Sequence, residues 1–310
     1  MTFIKRIESM GRRMKELQRF REIVRVFMRY DFDDLAQKLH IPSIIGSPIK
    51  SLVDGKDSEI ARLSQAQKLR KICEELGPTF TKLGQILSTR PNLLPPYYAE
   101  ELSKLHSQSA PLPFSQIISI LTEELGTAPE TIFKEIIEEP LGAASIAQVH
   151  KAKLPDGKEV VIKVQRPGIA DIMEQDLEIL EYLASLMEHY LESWRVHRPR
   201  RIVEEFAGRL SKELDFSLEA AYIQRFQWQF KEESKLFVPK VYGRFSSERV
   251  LVMDYVAGTK ITDWNQHASP GEKTTVAEAI AQSIGKRELR VRGGGRSSRA
   301  WVPRSAVRSP

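Results

Sequence analysis

Two short runs rich in β-branched residues, residues 146–154 (IAQVHKAKL) and 159–165 (EVVIKVQ), flank Pro155-Asp156-Gly157, a triplet suited to a tight turn. A hairpin at this point constrains the whole chain, because most of what surrounds it has helical spacing. The texture changes at Pro140: helices precede it, and strands mixed with long helices follow. In the second run Val161, Lys163 and Gln165 share one face and Val160, Ile162 and Val164 the other.

Helical periodicity runs from Ser58 to Glu75 and is stopped by Gly77-Pro78; it resumes over residues 79–88 and 97–106. Residues 114–138 are expected to form two short helices hinged between Gly126 and Pro129. Long helical periods cover residues 171–193 and 199–230, and FVPKVYG (237–243) and RVLVMDYV (249–256) read as two more strands. The expectation is an α+β chain, a small antiparallel sheet with helices preceded by an all-helical extension. Its segments are a basic amphipathic helix (1–40), a linker broken by Pro42, Gly46, Pro48 and Gly55 (41–60), the helical extension (61–139), the mixed lobe (140–284) and a disordered arginine-rich tail (285–310).

With 310 residues, 41% of them hydrophobic, the chain can bury a sizeable core. Its single cysteine, Cys73, excludes a disulfide framework and a zinc site built on paired thiolates. No apolar run approaches the roughly 18 to 20 residues needed to cross a bilayer, and no secretory leader opens the chain, so a cytoplasmic location is expected. The net charge of +6 is concentrated at the ends: the tail carries +7, the first thirty residues +6, and residues 31–284 about −7. That distribution argues against a nucleic-acid-reading surface, and no aromatic platform accompanies the tail.

Near the N-terminus, Phe3, Ile7, Met10, Met14, Leu17, Val24 and Met28 recur at three- and four-residue steps, with Arg12, Arg13, Arg19 and Arg21 falling elsewhere. Such a helix either lies on an anionic membrane surface or docks on the protein's own body. The first option would make the chain a peripheral, non-catalytic membrane-surface adaptor.

Phosphoryl transfer needs backbone close to the phosphates, a cation on them, an anion fixing that cation, and carboxylates for magnesium. Residues 141–149 (LGAASIAQV) are small enough for close backbone approach and lead into the first strand of the hairpin. Lys163 lies on the paired strand. The run KELDFSLEA supplies Glu213, Asp215 and Glu219. On one continuous helix Asp215 and Glu219 form an i, i+4 pair, with Glu213 about 160° away from Asp215, so these carboxylates could serve two cations on different sides. Val250 to Met253, opening into Asp254-Tyr255-Val256-Ala257-Gly258, offers backbone groups to an adenine ring.

Four motifs in this order, ELGPTFTKLGQ (75–85), GAASIAQVH (142–150), VVIKVQRPG (160–168) and KELDFSLEA (212–220), make residues 65–283 resemble the UbiB/AarF atypical protein-kinase-like family. The resemblance implies a kinase-like N-lobe with the Ala-rich loop, Ala143, Ala144, Ser145, Ile146 and Ala147, over the phosphates, and Val149, Met253, Asp254 and Val256 completing the nucleotide contacts. It implies that Lys163 holds the phosphates with Glu213 as its partner. Lys82, Gly84 and Gln85 would belong to an extension folded across the active site, where Lys82 meets Asp215 and Glu219 lies nearby, excluding protein substrates. ATP or ADP is the implied cofactor, with Mg2+ in the family. The implied setting is prenyl-quinone (ubiquinone) biosynthesis at the inner face of a membrane, with an anionic lipid surface and quinone-biosynthesis proteins as partners. The family's catalytic-loop and magnesium-binding motifs do not occur in this sequence, and periodicity collapses near Gly285. A C-terminal truncation that removes most of the C-lobe is therefore expected, with no metal ligands in this chain and negligible turnover.

Overall fold

The computed structural model describes residues 17–41, 58–90, 93–105, 109–231, 236–258, 264, 268–278 and 280. Residues 17–29 form helix α1. Then follow α2 (Asp33–Lys38), α3 (Ser58–Ala61), α4 (Gln65–Leu76), α5 (Pro78–Ser88), α6 (Pro96–Ser103) and α7 (Phe114–Leu125). Strands β1 (Glu135–Ile136), β2 (Gly142–Ala143), β3 (Ala147–Lys153) and β4 (Glu159–Gln165) come next. The chain continues through α8 (Ile169–Tyr190), α9 (Pro199–Leu214), α10 (Phe216–Gln229) and β5 (Val250–Asp254). The architecture is α+β, as expected. The chain divides into two compact units that interleave along the sequence: Met1–Pro113 with Gly142–Gln148 and Gln165–Asp215, and Phe114–Leu141 with Val149–Val164 and Phe216–Pro310.

Local chemistry sets the helices of the first unit. Ser64 accepts from the Gln67 N–H while the Gln67 side chain accepts from the Ser64 N–H, a capping box that starts α4. Gly77, at φ +93°, ends α4 in a conformation that suits glycine, and Pro78 opens α5 with its ready-set φ. The core gathers Phe20, Ile23 and Met28 of α1 with Ile72 and Leu76 of α4, Phe80 of α5 and Leu102 of α6. Of the two options for the N-terminal stripe, residues 17–29 therefore take docking. Arg19, expected on the solvated basic face, instead reaches Asp176 of α8 through Nε (2.7 Å) and Nη2 (3.1 Å) and gives Nη2 to the Leu76 carbonyl. Asp176 is fully buried, so a desolvated carboxylate recruits the guanidinium. Residues 3–16, most of the expected linker and the tail lie outside the described residues.

The second unit holds the larger part of the sheet, whose strands run in the order β1-β3-β4-β5. The β1–β3 and β4–β5 pairings are antiparallel, with Ile136 opposite Ala152 and Lys163 opposite Leu251. Val160, Ile162, Val164 and Val250 to Val252 are fully buried, so β4 is an interior strand and β5, last in the strand order, is covered and not solvated. The tight turn forms as expected, with Gly157 at φ +88°. Two expectations change. After α7 the chain makes a single 3-10 turn, Pro129–Thr131, then β1, instead of a second helix. The stretch 237–243 contributes an isolated bridge, Val241 to Met253, and not a full strand.

The stretch expected as one helix over 199–230 is broken at Asp215, whose φ −101° and ψ 98° are extended. The groups that a continuous helix would pair find other partners. Gln165 donates Nε2 to the Leu214 carbonyl at 2.5 Å, and the Phe216 N–H donates to the Glu248 carbonyl at 2.9 Å.

Candidate functional site

In the second unit Lys163 projects from β4 and its Nζ lies 2.6 Å from Glu219 Oε2, both side chains about one-fifth exposed. The same ammonium stands 4.3 Å from the ring centroid of the fully buried Phe216. Glu219 sits in the first turn of α10, where the helix dipole favours a carboxylate. The partner of Lys163 is thus Glu219 and not Glu213 as expected. The helix break is the physical reason: it leaves Glu213 in the last turn of α9 and starts a new helix at Phe216, with Glu219 in its first turn.

The rim of β5 is also more committed than expected. Asp254 accepts from the Lys240 N–H at 3.0 Å and from the Tyr242 hydroxyl at 2.9 Å. Burial, and after it the Asp254 carboxylate, pushes the Tyr242 phenol up to about 12. The Asp254 N–H donates to the Lys240 carbonyl and the Tyr255 N–H to the Glu159 carbonyl, so those two donors are not free for an adenine ring. Met253 and Val256 are half-buried at the same end of the strand. Val149, also half-buried, lies in β3 with Val149 O accepting from the Leu141 N–H.

In the first unit Lys82 of α5 pairs with Glu213 of α9 at 2.7 Å. The carboxylate that meets Lys82 is therefore Glu213, in the last turn of α9, where Asp215 was expected. Gln85 donates Nε2 to the Leu105 carbonyl at 3.0 Å. Gly84 is required by packing: a Cβ there would stand 2.4 Å from Leu105 Cδ1 and 3.3 Å from Cys73 Sγ. Three residues of the Lys-Leu-Gly-Gln motif thus have separate tasks, an ion pair, a close approach and a helix-end hydrogen bond.

The Ala-rich segment is held by side chains outside the expected site, Gln148 and Arg166. Ala143 lies in β2 and the Ala144 N–H donates to the Ala147 carbonyl at 2.8 Å, closing a tight loop. Arg166 donates Nε to the Ala144 carbonyl (2.8 Å) and Nη2 to the Ala110 carbonyl (2.7 Å), while its own N–H reaches the Ile146 carbonyl. Gln148, fully buried, accepts from the Leu112 N–H at 2.7 Å and donates to the Leu112 carbonyl at 3.3 Å. Residues 109–112 are thereby strapped to the loop. Burial holds the Arg166 guanidinium below its usual value. Ile146 and Ala147 are buried, and Ser145 Oγ is buried without a hydrogen-bond partner among the described residues. An orphaned hydroxyl of this kind fits a ligand with acceptor oxygens such as a phosphate. Gln148 and Gln165 could have been suspected from being polar within strand-period runs, a pattern that demands buried partners.

Among the described residues no group of three or more His, Cys, Asp or Glu side chains is placed to hold a metal ion, and no helix is long and apolar enough to cross a membrane.

Comparison with known proteins agrees with the motifs. Residues 104–291 match the family model described as the ABC1 atypical kinase-like domain. The chain is 36% identical over 253 residues to a protein named "Probable protein kinase UbiB" from Marinobacter nauticus, covering 81% of this chain and 46% of that protein. It is 38% identical over 249 residues to the protein of the same name from Cellvibrio japonicus, covering 79% and 44%. To "Protein ACTIVITY OF BC1 COMPLEX KINASE 3, chloroplastic" of Arabidopsis thaliana it is 35% identical over 246 residues, covering 78% and 34%. A Mycobacterium tuberculosis protein solved with erythromycin matches with a TM-score of 0.48 at 30% identity, covering 67% of this chain and 52% of that one. The chain spans about half the length of the first curated relatives it matches. The chain belongs to the UbiB/AarF family of ABC1 atypical kinase-like proteins.

Proposed function

We propose that this chain binds ATP or ADP at the Lys163 end of its sheet, as part of an atypical kinase or ATPase serving prenyl-quinone biosynthesis at a membrane surface. One observation carries the reading: a lysine on an interior strand held at 2.6 Å by a carboxylate from the first turn of a helix. An ammonium fixed in this way presents its remaining protons in a set direction, which is what a polyphosphate requires. The names of the UbiB relatives, probable protein kinases, agree with it. Phosphate contact by Ala143 to Ala147 and the quinone setting rest on the family resemblance, as do the membrane surface and the protein partners. Magnesium finds no matching cluster among the described residues, and no step is assigned to it.

Equilibrium binding of ADP and ATP to the full chain, followed by calorimetry, tests the proposal. Micromolar affinity that falls by about tenfold in Lys163→Ala supports it. Absence of nucleotide binding by a folded protein, or binding that Lys163→Ala leaves unchanged, refutes it.

A further inference from the structure

Two ion pairs pin α5 and α9 together within the first unit, Lys82 to Glu213 and Arg90 to Glu205, each at 2.7 Å. The partners advance by eight residues along α5 and its C-terminal end and retreat by eight along α9, so the two segments run antiparallel with anchors about 12 Å apart. Beside the second anchor lies a cavity of about 170 Å³. Its floor is apolar: Leu83, Ile86 and Leu87 at helical spacing on α5, with Phe206 and Ile202 of α9. Its rim is cationic, with Arg198 at the N-cap of α9 and Arg201 and Arg209 on that helix beside a single carboxylate, Glu205.

That carboxylate is already committed. Arg90 holds Glu205 below the usual carboxylate range, and Arg201 stands 3.9 Å away on its other oxygen. Among the described residues no carboxylate lies within ion-pair distance of Arg198 or Arg209. Four guanidiniums, Arg90 among them, thus share the single carboxylate of the lining, which leaves an excess of positive charge at the rim of the apolar floor. Like charges gathered at one rim repel one another, and an anion bound among them relieves that repulsion.

We propose that this cavity binds a single-chain amphiphilic anion, a phosphate monoester or carboxylate on an apolar chain, taken from solution as a monomer. The apolar chain lies on Leu83, Ile86, Leu87 and Phe206, and the head group meets Arg201 and Arg209, where guanidiniums offer paired donors to oxyanions. The site is separate from Lys163 and does not depend on the nucleotide reading.

Calorimetry with the full chain tests this, using decyl phosphate and decanoate below their micelle concentrations, decyl maltoside as the uncharged amphiphile and inorganic phosphate as the head alone. The expected result is saturable binding of decyl phosphate and decanoate, at least about tenfold weaker for decyl maltoside and for inorganic phosphate. Arg201→Gln and Arg209→Gln, both at exposed positions, should each weaken decyl phosphate by about tenfold without changing the melting temperature. Ile86→Glu, which brings a carboxylate to the floor, should abolish binding. Equal affinity for decyl maltoside, equal affinity for inorganic phosphate, or unchanged binding in both arginine variants would each overturn the proposal. So would sedimentation with anionic phospholipid vesicles when no monomeric amphiphile binds, since the occupant would then be a bilayer.

Discussion

Lys163 and Glu219 meet at 2.6 Å, while Glu213, six residues earlier, is held by Lys82 at 2.7 Å. The extended residue Asp215 lies between the two carboxylates in the chain, ending α9 before α10 begins. One acidic run thus serves two cations, and each carboxylate has its own partner within its own compact unit.

Removing the buried carboxylate of Asp176 should be costly. Asp176→Ala leaves Arg19, whose side chain is 15% exposed, with only the exposed carboxylate of Glu22 at 3.0 Å and is expected to lower stability by about 3 kcal/mol in urea unfolding. Replacing both residues with apolar side chains of similar size should recover much of the loss. A single Asp176→Ala within about 0.5 kcal/mol of wild type would show that α1 is held by apolar packing alone.

Gly84→Ala should destabilise the first unit. The new methyl would stand 2.4 Å from Leu105 Cδ1, and Leu105 is too deeply buried to swing aside freely. Overpacking of this kind costs about 1 to 3 kcal/mol. Paired with the compensating large-to-small change Leu105→Ala, Gly84→Ala should be less destabilising than the sum of the two single changes, again by urea unfolding.

How much of this was legible beforehand differs from element to element. The hairpin was readable because alternation in 159–165 and the Pro-Asp-Gly turn are local signals, decided within a few residues. Lys163, Lys82 and the acidic run were found as participants, but their pairing was not. That pairing depends on the break at Asp215, which is stabilised by Gln165 on the Leu214 carbonyl and Glu248 on the Phe216 N–H, residues 49 and 32 positions away. Helical periodicity continues through the break and conceals it. Arg19 was misassigned for a related reason: a stripe of arginines gives no sign of which one faces a buried aspartate.

The Cys73 thiol, buried among the helices of the first unit, is pushed up to about 12 from a usual value near 9. Between those values the unfolded chain releases a proton that the folded chain retains, so this group makes stability decline as pH rises from about 9 toward 12. Iodoacetamide should accordingly modify Cys73 at pH 8 only at the rate of unfolding, and mass spectrometry of the native protein should show it unmodified. Prompt modification of the native protein would place the thiol at a reactive, solvated position instead.

Arg166 spans the carbonyls of Ala110 and Ala144, so Arg166→Met should loosen Ala110 and the Ala-rich loop while Gln148 still holds Leu112. Hydrogen exchange at Ala143 to Ala147 is expected to accelerate by at least about tenfold relative to β5, whose amides serve as an internal reference. Uniform acceleration in both places would mean that Arg166 supports global stability and not the loop in particular.

The most direct test of the central pairing is calorimetric ADP binding to Glu219→Gln and Glu213→Gln side by side. A Lys163 ammonium held by Glu219 predicts that Glu219→Gln weakens binding by about tenfold, while Glu213→Gln stays within about threefold of wild type. The reverse order, with Glu213→Gln weak and Glu219→Gln unaffected, would contradict the account.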